Sequence, residues 1–214
     1  MLRLGYPMSK NPRIALLDYG MGNIRSLQKA FEHLGATAKV TGDPREVEAA
    51  DVLLLPGDGA FVRAMDNLRS RGLIDAIYGA HQKQKIIFGI CIGFQLLFES
   101  STEFTGAKGL GLVKGAITRL EKNAEAPAIP HIGWTTTEFK AKSRLGRGIH
   151  PHSMFYYVHS YAHRAEHMYA KATTSYGQMF TSVLEHENLF AAQFHPEKSH
   201  NAGLKLLANF LEAL

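Results

Sequence analysis

The chain has 214 residues, of which 45% are hydrophobic and 20% charged, so it can form a globular core without disulfide or metal staples. The formal net charge is +5, but the basic residues are scattered, which argues against a nucleic-acid-binding patch. The single cysteine excludes an internal disulfide and favours a reducing, cytoplasmic location.

No stretch of the sequence is long and apolar enough to cross a bilayer, so we predict no membrane association. The longest apolar stretch, residues 86–98, is too short and contains Gln95. The first dozen residues lack the apolar run of a signal peptide. We predict a flexible lead at residues 1–12 and one domain at residues 13–214.

The first half of the chain alternates between apolar strands and helices. Its helices show apolar residues at helical spacing, and its strands are short apolar runs that end at glycine or proline. Such alternation predicts parallel strands joined by right-handed crossovers. The predicted strands are 14–19, 52–55 and 86–90, and the predicted helices are 24–34, 61–70, 74–84 and one that follows residue 90 through Phe98.

The second half is richer in strands. A closing helix is predicted at 202–214, and residues 121–128 are predicted to be a loop within the domain. The expected fold is an α/β sandwich with a central mixed, largely parallel sheet flanked by helices. Strands are predicted at 117–120, 155–158, 169–175, 180–184 and 190–194.

Residues 89–93 read Gly-Ile-Cys-Ile-Gly, which fits the G-x-S-x-G pattern of a nucleophile elbow with Cys91 in the serine position. An apolar strand precedes the motif and a helical pattern follows it. The glycines allow close packing around a strained residue, and the helix N-terminus stabilises a thiolate. A buried structural cysteine is the alternative.

His195 is the best candidate for the base that a thiol nucleophile needs. It follows an apolar strand, and Glu197 lies two residues further on, across a turn made by Pro196. A carboxylate so placed can orient the imidazole. A surface histidine in a loop is the alternative.

Two other patterns suggest ligand sites that we reject. His159, His163 and His167 are four residues apart, but their segment has strand composition, so they do not share a helix face and we predict no metal site. Gly20 and Gly22 begin a dinucleotide-like loop that has Arg25 at the third glycine position.

Taken together, three segments resemble the class I glutamine amidotransferases: GICIGFQLL at 89–97, QFHPEKS at 193–199 and LPGDGAF at 55–61. More narrowly, four others are similar to the glutaminase subunits of imidazole glycerol phosphate synthases. The resemblance covers about residues 13–214, with its motifs in order. These four are DYGMGNIRS (18–26), GLGLVKG (109–115), PHIGW (130–134) and FYYVHSY (155–161).

The resemblance implies that Cys91 attacks the carboxamide of glutamine, His195 relays the proton and Glu197 orients His195, with no cofactor. It places the oxyanion donors at Ile92 and at the loop Gly57, Asp58 and Gly59, one peptide of which has to turn. The residues expected to hold glutamine are Gln95, Glu103, Ser160 and Tyr161. Gln95 at a helix surface and Tyr161 in the core are the alternatives.

The resemblance also implies a heterodimer with a (β/α)8-barrel cyclase subunit that uses the ammonia in histidine biosynthesis. Trp134 and Lys198 are expected at that interface, with a core position as the alternative for Trp134. Asp58 and Thr135 depart from the family, which usually has an apolar residue and an asparagine there. A glutaminase subunit that feeds a sugar amidotransferase in surface-polysaccharide biosynthesis is therefore the alternative function.

Two rival classes fit less well. An α/β-hydrolase-like thiol enzyme has its acidic residue before its histidine, whereas here Glu197 follows His195. A catalytically inactive binding module would not need all three chemical residues.

Overall fold

The structure is a computed structural model that describes residues 12–164 and 166–214. The predicted flexible lead lies outside the described residues except for Pro12. None of the described helices is long and apolar enough to cross a membrane.

A central sheet of eight described strands organises the chain. The strands are β1 (Ile14–Leu17), β2 (Ala38–Thr41), β3 (Val52–Leu55), β4 (Ile86–Ile90), β9 (Glu138–Phe139), β12 (Ala170–Ser175), β13 (Met179–His186) and β14 (Leu189–Ala192). Their order across the sheet is β2-β1-β3-β4-β14-β13-β12-β9. The five strands from β2 to β14 pair in parallel, and the rest pair antiparallel, which confirms the mixed, largely parallel sheet.

Two smaller sheets lie beside the central one. In the first, β8 (His131–Thr136) pairs antiparallel with β10 (Met154–His159). The second has the order β11-β7-β5-β6. Its strands are β5 (Phe98–Ser101), β6 (Ala107–Lys108), β7 (Val113–Arg119) and β11 (Tyr161–Ala162).

Helices cover both faces of the central sheet because its strands are apolar on both sides. The helices are α1 (Ile24–His33), α2 (Pro44–Ala49), α3 (Phe61–Ser70), α4 (Leu73–Gln82), α5 (Ile92–Leu96) and α6 (His200–Glu212). Alternate residues of β1 and β3 face opposite ways: Leu17 packs with α3 and α4, whereas Leu16 packs with α1 and α6.

The structure corrects one predicted element and adds several. The helix after Cys91 ends at Leu96, and Phe98 begins strand β5 instead of continuing that helix. The cause is a distant contact, since Phe98 pairs with Val113 of β7. The prediction also lacked β2, α2 and β8, which are short or partly exposed.

Candidate active site

Cys91 lies at a strained turn between β4 and α5, where the elbow motif predicts it. Its φ of 55° is unfavourable for a residue with a side chain, and its side chain is buried. The glycines around it allow close contact. A Cβ at Gly93 would lie 1.7 Å from the Leu55 carbonyl oxygen, and one at Gly89 would lie 2.6 Å from the Gly93 oxygen. Neither position can carry a side chain.

His195 leaves the sheet beside Cys91 because β14 and β4 are parallel neighbours, with Ala192 opposite Ile90. A 3-10 turn at Pro196–Lys198 then brings Glu197 back to the imidazole. The Nδ1 atom of His195 donates to Glu197 Oε1 at 2.8 Å, and both side chains are almost fully buried. The predicted contact across the turn is therefore confirmed, and it leaves the other ring nitrogen, Nε2, free of Glu197.

The charge state of His195 follows from its surroundings. Burial lowers the pKa of His195, but the charge of Cys91 and the hydrogen bond that Nδ1 donates to Glu197 outweigh burial and raise the pKa to about 10. Nε2 has no partner of ordinary hydrogen-bond geometry among the described residues, although Cys91 is close enough to act on the ring. The site thus favours the protonated, imidazolium form of His195.

In the loop at Gly57–Gly59, the carbonyl group of Gly57 points toward the N–H of Ile92, which is one of the expected oxyanion donors. The Ile92 N–H donates to the Gly57 carbonyl oxygen at 3.4 Å. On the outer side, the exposed Asp58 accepts from the Gly22 N–H through Oδ1 at 3.0 Å. In this conformation Ile92 is engaged and the loop offers an acceptor where a donor is expected.

A cavity of about 210 Å³ opens at the sulfur and brings together all four predicted substrate residues. Cys91 and Ile92 form one wall, and the segment from Val158 to Tyr161 forms another. The remaining lining residues are Gly59, Gln95, Glu103 and Pro130.

Gln95 and Glu103 are held in place by the surrounding protein. The Nε2 atom of Gln95 donates to the Tyr161 carbonyl at 2.9 Å and to Gln193 Oε1 at 3.2 Å. Both N–H groups are engaged, so Gln95 offers a ligand only its Oε1 acceptor. The Oε2 atom of Glu103 accepts from the Phe61 N–H at the start of α3, at 2.5 Å. The alternative of a helix-surface position for Gln95 is excluded, because the side chain is buried.

The residues predicted at a partner interface lie on one outer face of the β8–β10 sheet. Trp134 is 41% exposed and Ile132 is 59% exposed on β8, and Met154 is 51% exposed on β10. Lys198 holds its Nζ 5.9 Å from the ring of Tyr156 on the same face. An exposed Trp134 excludes the core alternative. We call Ile132, Trp134, Met154, Tyr156 and Lys198 the β8–β10 face.

The sequence did not identify three residues that contact this site. Tyr19 is fully buried and donates to the Pro56 carbonyl at 2.5 Å, beneath the Gly57–Gly59 loop. Burial, and then the charges of Cys91 and Asp58, raise the pKa of its phenol. Gln193 contacts Gln95, and His159 lines the cavity. The position of Tyr19 inside DYGMGN and of His159 directly before Ser160 were the available signals.

Relatives of known name match nearly the whole chain. A model of the family described as "Glutamine amidotransferase class-I" matches residues 15–214. The "Imidazole glycerol phosphate synthase subunit HisH" of Chlorobium chlorochromatii is 45% identical over 93% of this chain and 99% of that protein. The subunit of the same name from Sulfurimonas denitrificans is 44% identical over 92% of this chain and 96% of that protein.

Solved structures share the fold at low sequence identity. One titled "Crystal structure of glutamine amidotransferase" has a TM-score of 0.72 at 18% identity, over 94% of this chain and 98% of that one. The glutaminase domain of Trypanosoma brucei CTPS with bound acivicin has a TM-score of 0.63 at 16% identity, over 94% of each chain. At such identities the similarity shows the fold alone.

Proposed function

Because this chain belongs to the class I glutamine amidotransferases, we propose that it is the glutaminase subunit of an imidazole glycerol phosphate synthase. It hydrolyses glutamine and delivers the ammonia to a cyclase subunit that makes imidazole glycerol phosphate and an aminoimidazole carboxamide ribonucleotide in histidine biosynthesis. The observation that carries the proposal is the buried Cys91, His195 and Glu197 arrangement at a nucleophile elbow. The names of the relatives do not favour the surface-polysaccharide alternative.

The reaction follows from the positions of these three side chains. The Cys91 thiolate attacks the carboxamide carbon, and the carbonyl electron pair moves onto oxygen. His195 gives its Nε2 proton to the departing nitrogen, the C–N bond breaks, and ammonia leaves a glutamyl thioester. Water then attacks the thioester, His195 takes a proton from it, and the C–S bond breaks to release glutamate.

The lining of the cavity fits the polar groups of glutamine. The Oε1 acceptor of Gln95 suits the carboxamide N–H of the substrate, and Glu103 suits the amino group because it is anionic. Ser160 and Tyr161 close the opposite side of the cavity. These roles rest on position and chemistry together with the family resemblance.

The loop at Gly57–Gly59 acts as a switch in this proposal. Turning the Gly57–Asp58 peptide frees the Ile92 N–H and presents a second N–H to the oxyanion, and lacking one such donor costs about 10²–10³ in rate. The hydrogen bond from Gly22 to Asp58 and the one from Tyr19 to Pro56 hold the loop as observed. We therefore expect the isolated chain to have low glutaminase activity.

Asp58→Val is expected to raise the glutaminase rate of the isolated chain about two- to tenfold, the range for one lost hydrogen bond. Asp58→Asn keeps the acceptor for Gly22 without the charge, so it is expected to stay near the wild-type rate. Steady-state glutaminase assays of both variants without the partner show whether the hydrogen bond from Gly22 or the charge of Asp58 restrains the loop. Equal activation of both variants would show that charge repulsion, and not the bond to Gly22, restrains the loop.

The partner is expected to dock on the β8–β10 face, which lies beside the cavity. Ammonia that escapes into water becomes ammonium, so the acceptor subunit has to cover the site. This face carries exposed apolar side chains around one tryptophan, the composition of an interface hot spot. We propose that the partner is a (β/α)8-barrel cyclase subunit, as in the family, and that the complex is a heterodimer.

Trp134→Ala is expected to weaken partner binding by about 1–4 kcal/mol, because the side chain is a half-exposed aromatic anchor. Isothermal titration against the cyclase subunit measures the change. Met168→Ala, at an exposed methionine outside the β8–β10 sheet, is the matched control. Trp134 is the only tryptophan, so its fluorescence should also change on binding. Unaltered affinity and fluorescence would place the interface elsewhere.

Reconstitution tests the pathway. The purified chain, the cyclase subunit of the same genome and its ribonucleotide substrate should form imidazole glycerol phosphate with glutamine as the nitrogen donor. Complex formation with a sugar amidotransferase and not with the cyclase subunit would refute the histidine assignment.

A further inference from the structure

Two buried histidines outside the triad form a hydrogen-bonded chain that ends at the glutamine cavity. His131 and His159 are direct partners in the β8–β10 register. The Nδ1 atom of His131 lies 3.1 Å from His159 Nε2, and the Nε2 atom of His131 lies 2.8 Å from Thr135 Oγ1. At the other end, His159 Nδ1 lies 2.9 Å from the Tyr161 carbonyl oxygen.

The partners fix the proton positions along this chain. A carbonyl oxygen only accepts, so His159 carries its proton on Nδ1 and its neutral ring accepts at Nε2. His131 must then donate from Nδ1, which leaves its Nε2 as an acceptor. The hydroxyl of Thr135 supplies the final proton. Every ring nitrogen is satisfied when both histidines are neutral.

Packing holds the two rings in this arrangement. The ring of His131 stacks between Tyr157, at 4.9 Å, and Tyr176, at 4.0 Å between centroids. The ring of His159 meets Phe180 edge-on at 5.0 Å. Neither imidazole can turn without disturbing aromatic neighbours.

The Tyr161 carbonyl oxygen therefore receives hydrogen bonds from two sides, from Gln95 and from His159. Both donors line the cavity at Cys91. We propose that His159 is a positioning residue for glutamine, which fixes the Ser160–Tyr161 segment through the Tyr161 carbonyl and is itself set by His131 and Thr135. The inference rests on the proposed function, in which that segment holds the substrate.

Burial keeps both rings out of the proton transfers. It lowers the pKa of His159 to about 3, with further lowering by His131 and His195 against the Tyr161 carbonyl, and it lowers the pKa of His131 to about 4. A neutral His159 adds no positive charge beside the His195 imidazolium. The His131–His159 pair thus fixes the hydrogen bond to the Tyr161 carbonyl, and the proton transfers are left to His195.

Thr135 is the last member of this hydrogen-bonded series. It stands where an asparagine is usual in the family, and its hydroxyl donates to His131 on the inner side of β8. Trp134, the neighbouring residue, lies on the outer side of the same strand. Strand β8 therefore carries both the predicted docking anchor, Trp134, and the hydroxyl of Thr135 that donates to His131.

His159→Leu and His159→Asn, measured in the complex with the cyclase subunit, test the role. Leucine removes the donor to Tyr161, so the KM for glutamine should rise about 2–10-fold with a smaller change in kcat. Asparagine places an amide N–H near the position of Nδ1 and should recover most of that loss. Synthesis from added ammonia reports whether each variant folds and docks.

Tautomers supply a readout that does not depend on activity. Nitrogen-15 NMR of the wild-type chain should show His131 and His159 both protonated on Nδ1. Thr135→Val should keep these tautomers, because His159 Nε2 still needs a donor, but it should shift the Nε2 resonance of His131, which loses its hydrogen-bond donor, whereas Thr135→Ser should leave that resonance near its wild-type position. Protonation of wild-type His131 on Nε2, or a wild-type KM in folded His159→Leu, overturns the inference. A wild-type complex that does not hydrolyse glutamine instead refutes the proposed function.

Discussion

Cys91→Ser is expected to lower glutamine-dependent synthesis by at least about 10³-fold while the complex still uses added ammonia. Serine fits the elbow, but its hydroxyl does not ionise beside His195 as a thiol does, so the attack on the carboxamide loses its nucleophile. Initial rates with glutamine and with ammonium chloride, on the same preparation, measure both activities.

The ammonia-dependent rate is the internal control for folding and docking. Cys91→Ala serves as a second variant, because it removes the nucleophile without offering a hydroxyl. Glutamine hydrolysis at the wild-type rate in either variant would show that Cys91 is a structural cysteine.

His195→Ala is expected to lose at least about 10³-fold in glutamine turnover, the scale seen when a triad base is removed. The variant has no group to protonate the leaving nitrogen, and Cys91 loses its cationic neighbour. Alkylation of Cys91 by iodoacetamide should slow as well. Because the chain has one cysteine, this second measurement reports on the sulfur alone.

Glu197→Gln separates orientation from proton transfer. The amide keeps an acceptor near Nδ1 of His195 but loses the charge that favours the imidazolium, so the expected loss is smaller than in His195→Ala. Near-wild-type turnover in both His195→Ala and Glu197→Gln would contradict the proposed triad.

The local sequence predicts the triad because each of its three members lies in a short motif that can be recognised without distant contacts. The elbow is a five-residue motif after an apolar strand, and Glu197 reaches His195 within one turn. Parallel pairing of the two strands that end at these motifs does the rest. The site therefore follows from patterns that need no knowledge of distant contacts, apart from the order of the strands.

Features that depend on distant contacts escape the sequence. The run that includes Phe98 fits a helix or a strand equally well, and only pairing with β7 decides it. The His131–His159 contact joins residues 28 apart and exists only in the observed β8–β10 register. The orientation of the Gly57 carbonyl depends on the rotation of a single peptide unit, which the amino-acid pattern does not determine.

The pairing of β4 with β14 also sets when the site can exist during synthesis. Ribosomes add about 5–20 residues per second, so the roughly 100 residues between Cys91 and His195 take on the order of 5–20 s to appear. Until then the nascent chain carries its sulfur without a base and without the neighbouring strand that holds one. With the proposed roles of Cys91 and His195, we expect that an unfinished or C-terminally truncated chain does not hydrolyse glutamine.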